Sequence, residues 1–163
     1  MITLYLRADP SSVSYWEAWQ SEPRVVTLHR GAVGEIGLTA AVRVPWWKSA
    51  EKVLAAEIAE ARADGFGELV QTDHVQVVVQ FSMGEDPAAD LARVTEAEAV
   101  CEEVLGWTGN GQCDGHDIGA GTMTVFNETV LPEVAAGSLV EALLAAGHGE
   151  FVVAVRDGEQ FRV

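Results

Sequence analysis

Val75-Gln76-Val77-Val78-Val79-Gln80-Phe81 carries valine or phenylalanine at every odd position and glutamine at two of the three even ones. A period of two predicts a β-strand with one strongly apolar face. Reading forward, Asp86-Pro87 supplies a helix cap and a proline for the first helical turn. A helix is predicted from there to about Leu105, with Leu91, Val94, Ala97, Cys101 and Leu105 as its buried stripe. A glycine-rich stretch over 109–121 gives way to a strand at 122–126. Leu131-Pro132 opens a second helix that carries Leu139, Leu143 and Leu144 and stops at Gly147, and a strand follows at 151–156. If 112–118 is a strand paired with its successor through Gly119-Ala120-Gly121, the order is βαββαβ. Asp157-Gly158 then turns the chain into a short last strand at 160–163.

Reading backward, segments 2–6, 13–20, 24–29 and 38–44 have strand periodicity. Asp9-Pro10-Ser11-Ser12, Glu22-Pro23 and the glycines between 31 and 37 separate them, which makes an antiparallel meander the simplest connection. Ser49 stands where an N-cap belongs. Val53, Leu54, Ile58 and Ala61 fall on one face of a helix that stops at Gly65. The expected fold class is α+β, with domains at 1–72 and 73–163: a four-stranded antiparallel sheet with one helix, then the βαββαβ unit.

The chain has 163 residues, 25 Asp and Glu against 10 Lys and Arg, and a net charge of −15. The charge is unevenly spread. Residues 1–73 hold seven bases and ten acids, a balance of −3, whereas residues 74–163 hold three arginines and fifteen acids, a balance of −12. Such a second half repels phosphate backbones and attracts basic protein patches. No apolar run reaches the roughly 20 residues of a membrane helix, and Met1-Ile2-Thr3-Leu4-Tyr5-Leu6-Arg7 does not open as a secretory signal does. A soluble, cytoplasmic protein is expected. Two cysteines, Cys101 and Cys113, are too few for a disulfide scaffold, and many arginines with few lysines match a bacterial, high-GC composition.

His29-Arg30-Gly31-Ala32-Val33-Gly34-Glu35-Ile36-Gly37, preceded by aromatic strands and followed by a helix closing in Asp64-Gly65-Phe66, resembles a WGR domain over roughly residues 1–70. The resemblance implies a small antiparallel sheet with one helix, in a family that recognises nucleic acid when it serves poly(ADP-ribose) polymerases. Its naming residues are degenerate: Arg30 stands at the Trp position and Ala32 at the Arg position, while Gly31, Val33, Gly34 and Gly37 remain. The turn-shaping glycines are kept, and the stacking and phosphate-gripping pair is lost. The segment Thr108-Gly109-Asn110-Gly111-Gln112-Cys113-Asp114-Gly115-His116-Asp117-Ile118-Gly119-Ala120-Gly121-Thr122-Met123 is similar to one in small uncharacterised bacterial ferredoxin-like proteins. Some neighbours of those proteins are toxin-immunity components, which implies a non-catalytic association role.

The chemistry-bearing candidates are few. Asn110, Gln112, Asp114 and Gly115 mimic part of a calcium loop, but its twelfth position is Gly121, where a bidentate Glu is required. Asp114, His116 and Asp117 remain as a metal alternative, set against a turn in which the Asp side chains cap amides. Cys113 beside His116 suggests an activated thiolate, without any orienting third residue. Serine-elbow and phosphate-loop patterns are absent. His29, His74 and His148 are isolated and read as structural or solvated.

The aromatics carry more. Trp16 and Trp19, three apart in a strand, face opposite sides, and Pro45-Trp46-Trp47-Lys48 sets two more at a strand-to-helix corner. They either seal the gap between the halves or form a contact surface. The function expected is therefore a non-enzymatic interaction module of immunity or toxin-neutralising type, with no catalytic residues and no cofactor. Its expected partner is a basic protein, met by Trp16, Trp19, Trp46, Trp47, Glu96, Glu98, Glu102 and Glu103; neither nucleic acid nor membrane is expected. Two alternatives stand beside it: nucleic-acid binding through Arg24, Arg30, Arg43 and Lys48, and a small metal- or thiol-dependent enzyme.

Overall fold

A computed structural model describes residues 1–70, 74–157 and 160–162, with side chains described through residue 156. The chain divides into two compact units, Met1–Val70 and Gln71–Val163. The boundary expected between 72 and 73 falls outside the described residues, as does Gly158 of the expected last turn. The whole is mixed α+β, with antiparallel sheets. Among the described residues no helix is long and apolar enough to cross a membrane.

In the first unit β1 (Ile2–Asp9), β2 (Ser12–Glu22), β3 (Val25–Ala32) and β4 (Leu38–Arg43) form a meander in sheet order β1-β2-β3-β4. Helix α1 (Ala50–Ala63) follows, its Ser49 cap accepting the Lys52 N–H at 3.3 Å. Period-two alternation points Leu4, Trp16 and Ala18 toward α1, where they pack on Ala61, Leu54 and Ile58; Val26 and Val44 meet Val53. Strand β3 runs three residues further than its periodicity announces. Gly31 sits inside it opposite Tyr15, where an added Cβ would lie 2.9 Å from Gly37 Cα and 3.2 Å from the Tyr15 ring. Gly31 and Gly37 are thus required for close approach, and only Gly34 (φ 95°) serves the turn by its positive φ.

In the second unit β5 (Val75–Ser82), α2 (Pro87–Trp107), β6 (Gly111–Gly119), β7 (Thr122–Thr129), α3 (Pro132–Ala145), β8 (Phe151–Asp157) and β9 (Gln160–Arg162) form an antiparallel sheet in the order β6-β7-β5-β8-β9. Each helix carries the chain past one strand, so β5 lies between β7 and β8. Val77, Val79, Phe81, Met123 and Val125 from the sheet meet Val94, Ala97, Cys101, Leu105, Leu139 and Leu143 from the helices. All three helices end in the same way, with a residue of positive φ (Gly65, Gly109, Gly147) whose N–H and that of its successor return to the last turn.

Two expected core leucines lie outside. The inward stripe of α2 begins at Asp90, whose carboxylate accepts the Gly84 N–H at 3.0 Å, and Leu91, about 100° further round the helix, is exposed. Leu144 is displaced in the same way from the Ala135–Leu139–Leu143 stripe. Most of Gly109–Gly121 is the strand β6, with a bulge between Cys113 and Gly115, in place of the expected Asp-capped turn.

Replacing Gly37 with Ala sets a Cβ 2.3 Å from both the Arg30 carbonyl and the Tyr15 hydroxyl. Urea unfolding is expected to show a loss of about 2–3 kcal/mol for Gly37→Ala. Gly106→Ala, in a helix with nothing within 4 Å, should hold stability or raise it by up to about 1 kcal/mol.

Candidate functional site

The β4–α1 corner is built by backbone chemistry. Val44 donates its N–H to the Arg24 carbonyl at 2.9 Å, and the Arg24 guanidinium donates Nε and Nη2 back to the Val44 carbonyl at 3.3 and 3.1 Å. Pro45 cannot donate to a continuing ladder, so the strand stops, and Lys48 N–H closes a turn onto the Pro45 carbonyl at 3.0 Å. Trp46 and Trp47 occupy the two central positions of that turn. Their side chains project outward, 80% and 68% exposed, in an edge-to-face pair with centroids 5.6 Å apart. Beside them a cavity of about 400 Å³ opens between the β2–β3 turn and the first turn of α1, lined among others by Arg24, Lys48, Trp46, Gln20 and Glu51.

The other predicted contact residues separate. Trp16 is a core residue, 6% exposed against Leu4, Ala18 and Ala61, so it is withdrawn from any surface. Trp19 is half-buried, its ring edge-on to His29 at 6.4 Å. Arg24, Arg43 and Lys48 share one end of the first sheet, whereas Arg30 pairs with Leu38 at the opposite end. The four cations therefore do not make a single patch. On α2 the acids split by helical phase. Glu98 pairs with His116 Nδ1, and Glu102 accepts the Cys113 N–H at 2.7 Å, while Glu96 and Glu103 remain exposed.

The β6 bulge explains that split. In a regular strand residues 113 and 116 point to opposite faces; the extra residue, Asp114, turns Cys113 and His116 alike toward α2. Adjacent His116 and Asp117 then face opposite ways, and Asp114, His116 and Asp117 do not converge. Among the described residues no group of three His, Cys, Asp or Glu side chains is placed to hold a metal ion. The Cys113 Sγ is directed to the Gly115 and Phe126 carbonyls at 3.9 and 3.4 Å, while His116 Nδ1 meets Glu98. Burial followed by the nearby acids raises the Cys113 thiol to about 11, with Cys101 raised to about 12.

A buried polar chain went unseen in the sequence. Thr3 Oγ1 donates to Glu17 Oε1 at 3.0 Å, Glu17 Oε2 accepts from His29 Nδ1 at 2.9 Å, and His29 Nε2 meets the Tyr15 hydroxyl at 2.9 Å. The Gly37 N–H donates to that hydroxyl oxygen at 2.9 Å, and the hydroxyl approaches the Glu35 carbonyl at 3.3 Å. Burial raises the pKa of the Tyr15 phenol and, more strongly, that of Tyr5, where the Glu17 charge adds to it. Tyr15, Glu17 and His29 are each less than a tenth exposed. The chain of bonds ties β1, β2 and β3 together and holds the 33–37 loop against Tyr15. Glu17 and His29 oppose one another only in the β2–β3 register, so no spacing along the sequence announces the pair. The one available signal was the alternation Tyr15, Glu17, Trp19 on a single strand face.

No protein-family model, no curated protein and no solved structure matches this chain.

Tyr15→Phe strands the Gly37 N–H and the His29 ring nitrogen, and chemical denaturation should register a loss of about 2 kcal/mol. The two thiols generate a pH dependence. Unfolded cysteines ionise near pH 9, whereas the folded ones hold their protons to about 11 and about 12. Above pH 9 the unfolded state thus binds fewer protons, and stability falls with rising pH through that window. A Cys101→Ala, Cys113→Ala variant should flatten the slope between pH 9 and about 10, above which the raised Tyr5 and Tyr15 phenols add a fall of their own, and alkylation of native Cys113 at pH 8 should run on the order of 100-fold slower than that of free cysteine.

Proposed function

We propose that this chain is a non-catalytic protein-interaction module, of the immunity or toxin-neutralising kind, whose anchor is the Trp46–Trp47 corner. The observation that carries this reading is the pair of adjacent tryptophans at 80% and 68% exposure on a turn fixed by backbone bonds. Withdrawing about 150–200 Å² of each from water offers up to roughly 4–5 kcal/mol per tryptophan at about 25 cal/mol per Å², before the cost of association. A tryptophan presents a large area with only two side-chain torsions to order, so it loses little entropy on docking, and such residues dominate interface energetics.

The second unit supplies the electrostatic part of the proposal. Its acids, with Glu96 and Glu103 free on the outer side of α2, favour a basic partner and speed its encounter. A WGR-like identity for the first unit is supported by its four-stranded meander with one helix. A ferredoxin-like identity for the second is supported by β5 lying between β7 and β8, with a helix in each crossover. Two reduced, unpaired cysteines accord with a cytoplasmic setting. The competing nucleic-acid reading needs the four cations in one place, and Arg30 lies away from the rest.

Capture from a soluble lysate of the native host should fall at least tenfold for Trp46→Ala, Trp47→Ala relative to the parent chain, with the thermal midpoint unchanged because both rings are already in water. Glu96→Gln, Glu103→Gln should weaken capture at low salt and lose that effect at high salt. Capture indifferent to the tryptophans overturns the reading, and so does tight binding of single-stranded or nicked DNA at physiological salt.

A further inference from the structure

The fourth strand of the first sheet is an edge without the usual guards. In antiparallel pairing, bonded and non-bonded residue pairs alternate. The Val44 N–H bond to the Arg24 carbonyl sets the phase, so Val42, Ala40 and Leu38 bond to β3 while Thr39, Ala41 and Arg43 turn their N–H and C=O groups outward. The strand holds no proline, no bulge interrupts its register with β3, and its one charged residue stands at its end. Two other edges, β1 and β6, are defended. The outer side of β1 is engaged by Gly67, which exchanges two bonds with Tyr5, and β6 carries a bulge together with Asp114 and Asp117.

The surroundings specify the chemistry of what the edge would take. Ile36 and Leu38 are each 77% exposed, and Leu38, Ala40 and Val42 share the face that carries α1. Thr39, Ala41 and Arg43 share the other. Residues 36–50 hold Arg43 and Lys48 but no acid, in a chain that otherwise has more than twice as many acids as bases. We infer that β4 receives an extended peptide segment as a fifth strand, one that alternates apolar and acidic residues. The apolar residues lie beside Leu38, Ala40 and Val42, and the acidic ones lie on the side of Arg43. Main-chain bonds to Thr39, Ala41 and Arg43 supply affinity, and alternation with charge supplies selectivity. This extends the proposed interaction role by naming the chemistry of a partner segment, and it stands on the edge rather than on the tryptophans.

The test uses the full chain and an acetylated, amidated hexapeptide alternating Glu and Val, kept below the concentration at which it assembles with itself. Amide exchange should slow at Thr39, Ala41 and Arg43, while Leu38, Ala40 and Val42, already bonded, stay as they were. A Lys–Val hexapeptide should bind at least tenfold more weakly. Ala41→Pro removes one outward donor, a change an edge strand tolerates, and should abolish binding with the amide spectrum otherwise intact. Should that variant misfold, N-methylating alternate residues of the peptide makes the same deletion from the ligand side, with the same loss expected. Equal binding of the Lys–Val or the methylated peptide, or protection elsewhere on the chain, overturns the inference. Concentration-dependent dimerisation that Ala41→Pro abolishes, with no peptide bound, gives the edge to a second copy and also overturns it. Peptide binding retained by Trp46→Ala, Trp47→Ala while lysate capture ignores those tryptophans removes only the proposed anchor; the reverse pattern removes only the fifth strand.

Discussion

The reciprocal bonds between Arg24 and Val44 are the constraint on which the exposed surface of the first unit rests. One backbone N–H and one forked guanidinium close the β3–β4 ladder at the residue before Pro45. Three features follow from that closure. The strand ends there, a tight turn lifts Trp46 and Trp47 into water, and Ser49 arrives at the position from which it caps α1. The same bond sets the phase of the ladder, and so decides which groups of β4 face outward. A single local geometry therefore produces both the apolar anchor and the open edge.

Behind that surface the sheet is held by polar groups as much as by apolar ones. Glu17, His29 and Tyr15 are buried on the face away from α1, Thr3 is half-buried beside them, and each has a partner at ordinary hydrogen-bond distance. A buried carboxylate is tolerated only with strong donors, and the His29 ring and the Thr3 hydroxyl are such donors. The Tyr15 hydroxyl then receives the Gly37 N–H and so orders the loop that leads into β4. This polar chain demands one register of β2 on β3, whereas an apolar face alone would tolerate slippage by two.

Charge separates the two units in kind as well as in amount. Acids on α2 that look alike in the sequence perform two tasks, because Glu98 and Glu102 fasten β6 while Glu96 and Glu103 charge the solvent side. The bulge at Asp114 permits the first task by turning Cys113 and His116 to the same side. What resembles a ligand loop in sequence is thereby used in pinning an edge strand to a helix. In the first unit the stretch 36–50 is freed of acids where the open edge and the tryptophans lie.

Local pattern alone determined the elements. Period-two alternation placed the strands, Ser49 and Asp86-Pro87 placed two helix starts, and Gly65 and Gly147 placed two ends, because caps and breakers act through bonds within a few residues. The charge imbalance, too, was plain from composition. Tertiary structure decided whatever depends on register and rotational phase: the meeting of Glu17 with His29, the inward turn of Asp90 in place of Leu91, the burial of Trp16 and the exposure of Trp46. These facts join residues far apart in the chain or separate neighbours by about 100° around a helix axis. A side chain's own identity is silent on both, since its partner is chosen by how the strands align and how the helix rolls against them.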